Sequence, residues 1–146
     1  MIPVHYPRPD FKINSEAGKK FIFDSLRKKW IVMTPEEWVR QNFVQYLLQE
    51  KKYPVSLIAL EKEIQLGELR KRFDILVYDT KYQPWMLVEC KATNVPLNDA
   101  VLEQVLRYNA SVPVHYLILT NGTSCIGFLK EKGKLSMINQ FPDHEK

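Results

Sequence analysis

Arg72-Phe73-Asp74-Ile75-Leu76-Val77-Tyr78 and Trp85-Met86-Leu87-Val88-Glu89-Cys90-Lys91-Ala92 are runs of mostly apolar, β-favouring residues, each holding a single carboxylate, joined by the polar stretch Asp79-Thr80-Lys81-Tyr82-Gln83-Pro84. Two such runs around a polar turn read as a β-hairpin. Asp74 lies near the start of the first strand and Glu89 near the end of the second, so antiparallel pairing brings them to one end of the hairpin. Glu89 and Lys91, two residues apart, project to the same face. Two acids and a lysine thus converge at one end of a sheet, a set suited to metal-assisted phosphodiester hydrolysis.

Upstream, Ile58, Leu60, Lys62, Ile64 and Leu66 alternate with Ala59, Glu61, Glu63 and Gln65, predicting a strand covered on one face that Gly67-Glu68 turns into the Asp74 strand. Glu61 and Glu63 read there as solvated acids. Further back, Thr34-Pro35-Glu36-Glu37 starts a helix, with Thr34 as N-cap, Pro35 in the first helical position and Glu37 at the capping-box position. The helix is expected to run to about Lys51, its apolar stripe formed by Val39, Phe43, Val44, Tyr46, Leu47 and Leu48. At ~100° per residue Glu36 projects near the centre of that stripe and Glu37 nearer its edge. Glu36 is therefore the candidate third acid, and Glu37 the alternative.

Downstream, a second helix is predicted from about Asn98 to Asn109, capped by Asn98 or Asp99, with Val101, Leu102, Val105 and Leu106 as core contacts. Gln104 and Tyr108, four apart, share one of its faces. Val114 to Thr120 reads as a buried strand, Asn121-Gly122 as a hairpin turn and Ser124 to Leu129 as the returning strand, with Leu135 to Ile138 after a turn at Gly133. Near the N-terminus, Lys19 to Asp24 and Lys28 to Met33 predict a hairpin around Ser25-Leu26-Arg27, preceded by a Pro-rich, weakly ordered leader. The expected organisation is one domain over 1–146: leader and hairpin in 1–33, core in 34–129, and a last strand with a polar tail from Phe141 in 130–146.

An apolar content of 45% is enough for a continuous core without disulfides or a structural metal. Cys90 and Cys125 both fall in apolar runs and read as reduced, buried thiols of a cytoplasmic protein. No signal peptide or membrane span is expected. The three histidines are scattered without metal-ligand spacing, and no Gly-x-x-x-x-Gly-Lys pattern occurs, so no ATP-driven motor is expected within these residues. A formal charge of +4 is compatible with a polyanionic partner and selects none.

Asp74 followed by Glu89-Cys90-Lys91 resembles the active-site signature of the PD-(D/E)XK nuclease superfamily, with Phe73 where its name has proline. More narrowly, Pro35-Glu36-Glu37-Trp38-Val39-Arg40-Gln41, Arg72-Phe73-Asp74, Glu89-Cys90-Lys91-Ala92, Glu103-Gln104-Val105-Leu106-Arg107-Tyr108-Asn109 and Leu119-Thr120-Asn121-Gly122 resemble, in order, the N-terminal nuclease domain of type I restriction enzyme R subunits. The resemblance implies an α/β, restriction-endonuclease-like core of order αβββαβ, its mixed central sheet flanked by helices, here with an N-terminal β-hairpin added. It further implies a Mg²⁺-dependent DNA endonuclease, with Mn²⁺ able to replace Mg²⁺, that leaves a 5′-phosphate and a 3′-hydroxyl. Asp74, Glu89 and the main-chain carbonyl of Cys90 would hold the metal, Lys91 would orient or deprotonate the attacking water, and Glu36 would assist. Gln104 and Tyr108 would border the pocket, with Arg72 and Arg107 as further phosphate contacts. The implied partners are DNA and either a second copy or separate restriction-system subunits. The competing reading is a catalytically silent module of the same fold that binds nucleic acid or a restriction-complex partner.

Overall fold

The structure, a computed structural model, describes residues 1–144. The expected N-terminal hairpin is a three-stranded antiparallel sheet of β1 (Ile13–Glu16), β2 (Lys19–Asp24) and β3 (Lys29–Val32), in that spatial order. All four residues of β1 are exposed, so no apolar alternation marks it in the sequence. The leader, expected to be weakly ordered, is anchored instead. Ile2 is buried and its N–H donates to the Cys125 carbonyl at 2.8 Å, while Tyr6 stacks against Phe43 and Tyr46.

Helix α1 (Pro35–Gln45) starts as its cap predicts, with Thr34 Oγ1 accepting the Glu37 N–H at 3.0 Å. It continues as a π-helical turn, Tyr46–Glu50, and buries Val39, Phe43, Val44, Tyr46 and Leu47. Six strands follow in the spatial order of the chain: β4 (Ile58–Leu66), β5 (Leu69–Tyr78), β6 (Pro84–Cys90), β7 (Tyr116–Thr120), β8 (Cys125–Glu131) and β9 (Lys134–Ile138). β6 and β7 run parallel and every other neighbouring pair runs antiparallel, so the sheet is mixed. A parallel pair needs a long crossover, and this one carries helix α2 (Asp99–Tyr108), capped by Asn98 Oδ1 accepting the Val101 N–H at 3.0 Å.

The helices lie on opposite faces. α1 packs with Ile75, Val77, Val88 and Cys90, whereas Leu106 of α2 joins Phe73, Leu76, Leu87 and Leu117. α2 is less buried than its apolar stripe predicts, because Val105 alone of its four expected core residues is fully covered. Val112 and Val114, in the segment after the helix, occupy the space over Leu76, Leu87 and Leu117. The tail expected to be polar from Phe141 is also anchored: Phe141 stacks on Phe43 and Tyr46, and Tyr53 Oη donates to the Pro142 carbonyl at 2.6 Å. Residues 145 and 146 of that tail lie outside the described residues. Cys90 and Cys125 are buried and unpaired, and among the described residues no helix is long and apolar enough to cross a membrane.

Candidate active site

Strand register aligns three acids. Lys62 faces Phe73 and Leu60 faces Ile75 across β4 and β5, which puts Glu61 opposite Asp74. Ile75 faces Val88 across β5 and β6, and the next step of that register brings Asp74 beside Glu89. There the ladder ends, and Asp74 Oδ2 accepts the Cys90 N–H at 2.7 Å instead. Face alternation breaks at the same level. Ile75 and Val77 pack on the α1 side, yet Phe73 packs on the other side with Leu76. On β4, Ile58 and Leu60 face α1, while Ile64 and Leu66 pack opposite. Glu61 absorbs the switch with φ of +51°, a left-handed conformation that costs a non-glycine residue roughly 1 kcal/mol or more.

Arg40 of α1 reaches over this row. Its side chain is 5% exposed; Nη1 bonds Glu61 Oε1, Nη2 lies 3.5 Å from Asp74 Oδ1 and Nε lies 3.6 Å from Glu37 Oε2. Burial opposes its charge, but Glu37, Glu61 and Asp74 outweigh burial and hold the guanidinium above even its ordinary range. Glu37 also accepts from Arg27 at 3.1 Å and Gln41 at 3.0 Å, and Arg27 Nε donates to Asp24 at 2.6 Å. A continuous chain of charges therefore links the β2–β3 turn to Asp74. Arg40 and Glu61 both lie outside the residue set expected from sequence. Arg40 carried a usable signal, as an arginine one turn from Glu36 inside the stripe of Val39, Phe43 and Val44.

The two helix acids part company. Glu37 is the buried one and Glu36 the exposed one, the reverse of their expected places at the edge and centre of the stripe. The N-terminal sheet covers the Glu37 flank through Arg27, whereas Glu36 stays exposed. Glu37 completes only half of a capping box, since its carboxylate turns to Arg27 and Gln41. Glu36, one turn before Arg40, has a raised pKa: partial burial and then Asp74 push it up, while Arg40 and Lys91 oppose. It thus lies within the field of the acid row and of Lys91.

On the α2 side a cleft of about 280 Å³ is lined by Arg72, Glu89, Lys91, Gln104, Val105, Tyr108 and Asn109. Glu89 is pushed up to about 8, by burial first and then by the Asp74 carboxylate; Lys91 offsets part of this. Its buried Oε1 has no hydrogen-bond partner among the described residues. Arg72 stands at the rim, 3.9 Å from both Glu61 and Glu63. The Tyr108 ring lies 4.6 Å from Lys71 Nζ. Arg107 does not line the cleft: it points to solvent and pairs with Glu103 at 2.6 Å, because its position on α2 turns it from the Gln104–Tyr108 face. Among the described residues no three His, Cys, Asp or Glu side chains form a metal-holding group by themselves.

The family model described as type I restriction enzyme R protein N terminus matches residues 35–142. The chain belongs to that family. The R protein N-terminus match takes in α1, the six-stranded sheet and α2, and leaves out the three-stranded N-terminal sheet. Among solved structures, a fragment described as an HsdR subunit of a type I restriction enzyme from Vibrio vulnificus YJ016 superposes with a TM-score of 0.53 at 20% identity, over 74% of this chain. At that identity the likeness is one of fold. This chain spans 23% of that fragment's length. No curated protein matches the chain.

Proposed function

We propose that this R-protein N-terminal domain is a metal-dependent deoxyribonuclease of a restriction system, with a PD-(D/E)XK core of order αβββαβ running from α1 to β7. The observation that carries the reading is Glu89: a buried carboxyl with one unpartnered oxygen, pushed up to about 8 beside Asp74, in the same cleft as Lys91. A buried carboxyl with an unpartnered oxygen beside a second acid is costly to keep unless something cationic joins it. Asp74 and Glu89 are oxygen donors of the kind Mg²⁺ or Mn²⁺ prefers, and with the Cys90 main-chain carbonyl they would hold such an ion, water and substrate phosphate filling the remaining positions. When bound, the ion would supply Lewis acidity at the phosphate and lower the pKa of a bound water.

The protein's own groups do the rest. Lys91, on the Glu89 face, orients the attacking water and offsets charge developing on phosphoryl oxygens. Glu36, within the field of Asp74 and Lys91, offers a further acceptor to that water. Gln104 and Tyr108 hold the phosphate from α2, and Arg72 meets the strand at the rim. Arg40 braces Asp74 without touching DNA. One observation favours the catalytically silent alternative: Arg40 Nη2, 3.5 Å from Asp74, already brings positive charge to the acid row.

A nicking assay on supercoiled, linear and single-stranded DNA, with Mg²⁺, Mn²⁺ or EDTA, separates these readings. Cleavage is expected only with metal, falling at least roughly a hundredfold in Asp74→Ala and Lys91→Ala. Full activity in both variants, with the fold confirmed by circular dichroism, would remove the assignment. DNA affinity indifferent to chelator, with no cleavage under any metal, would establish the silent module. Association with the other subunits of a restriction complex follows from family membership as a proposal and is read by co-purification.

A further inference from the structure

Most of the net charge sits in the N-terminal segment that precedes the family match. Residues 1–33 carry seven Lys or Arg against three Asp or Glu, whereas residues 34–146 carry fourteen of each. Asp24 and Arg27 cancel each other at 2.6 Å, so the charge presented by this segment comes from exposed side chains such as Lys12, Lys19, Lys20, Lys28 and Lys29.

The sheet has two unlike faces. Ile22 and Asp24 of β2 are fully buried, so that side rests on the body of the protein. Phe21 and Phe23 alternate with them and face away, opposite Val32 and Trp30 of β3. Trp30 and Val32 are each 46% exposed. Trp30 meets Phe23 edge-on at 5.4 Å, and Lys12 Nζ stands 5.8 Å from the Phe23 ring. Lys19 shares the alternation of Phe21 and Phe23, with Glu16 directly across from it on β1. An exposed indole among lysines on a short antiparallel sheet meets both requirements of single-strand binding, a platform for a base and cations for the backbone. A protein partner would call for a broader apolar patch and fewer lysines.

We propose that the outer face of the β1–β3 sheet binds single-stranded DNA, with Trp30 stacking on a base and Lys12 and Lys19 contacting phosphates. The sheet that carries this surface is tied to the candidate site's helix, since Arg27 at the β2–β3 turn bonds Glu37 of the helix that carries Glu36. Stacking and charge stand by themselves; the choice of DNA rests on the proposed deoxyribonuclease.

The test is fluorescence anisotropy of a fluorescein-labelled oligothymidine in EDTA, where cleavage cannot interfere. The full chain is expected to bind, with Trp30→Ala weakening affinity on the order of tenfold. Lys12→Gln with Lys19→Gln is expected to shallow the salt slope by about 0.7 per contact removed. The lysine variant keeps the test decisive if Trp30→Ala loosens the sheet, because both lysines are exposed. Unchanged affinity and salt slope in that variant overturn the proposal. So does a dimer, seen by sedimentation, that Trp30→Ala dissolves while oligothymidine affinity stays the same. Loss of cleavage with this binding intact would count against the nuclease reading and leave the surface standing.

Discussion

α1 and α2 approach the same carboxylate row from opposite faces of the sheet and bring unlike surfaces to it. The α1 side is closed: Arg40, Glu37 and Gln41 are buried and tied through Arg27 and Asp24 to the N-terminal sheet. The α2 side is open, with Gln104 and Tyr108 exposed along a cleft and Val105 as the helix's one fully buried residue. One face fixes where the acids stand, and the other leaves room for what they act on. Such a division suits a site that must be preorganised and still admit a polymer.

The closed face depends most on Arg40. Replacing it with alanine leaves the largely buried Asp74 without its cation and Glu37 with Arg27 alone, and removing one partner of a buried ion pair costs about 3–5 kcal/mol. Urea unfolding should show that loss, with Arg40→Lys recovering part of it. Gln104→Ala in the same assay should stay within about 0.5 kcal/mol, as an exposed helix position does. Equal costs at the two positions would erase the distinction between the faces.

The next largest effect belongs to Glu89 and concerns pH. Its folded pKa of about 8 lies above the unfolded value of 4.5, so the folded state holds its proton more tightly. Below the unfolded value both states are protonated and the group is neutral to stability. As pH rises toward 8 the unfolded state ionises first, and folding progressively loses stability. Chelated protein should therefore lose stability between about pH 4.5 and 8. Glu89→Gln should flatten that slope and raise stability at alkaline pH. A slope that survives the substitution would place its origin elsewhere.

How much of this was legible in the sequence depended on the kind of signal each residue carried. Local signals read well: the Thr34 and Asn98 caps, the β4 alternation and the apolar runs of β5 and β6 predicted elements close to those found. Signals requiring register did not. Glu61 reads as a solvated acid until its pairing with β5 puts it opposite Asp74, and no residue type announces a left-handed turn at a glutamate inside a strand. β1 buries nothing and so leaves no pattern, while the anchoring of Ile2 and Phe141 depends on contacts distant in sequence. The choice between Glu36 and Glu37 turned on what covers each flank, and helix periodicity cannot report the N-terminal sheet.

The smallest expected effect sharpens the open face. Arg107 and Gln104 lie within one turn of α2, but Arg107 pairs with Glu103 in solvent, both side chains more than two-thirds exposed, whereas Gln104 lines the cleft. An exposed pair spaced four residues apart contributes roughly 0.3–0.5 kcal/mol, so Arg107→Ala should shift the urea midpoint barely at all. It should also leave cleavage kinetics unchanged, since its guanidinium has no path to the acid row. Gln104→Ala, equally mild in stability, should raise KM for DNA severalfold at similar kcat, as expected when a group binds ground and transition states alike. Two neutral-looking substitutions one turn apart thus separate the wall of the cleft from the back of its helix. A matching KM increase in Arg107→Ala would mean that DNA wraps past the cleft and over the outer surface of α2.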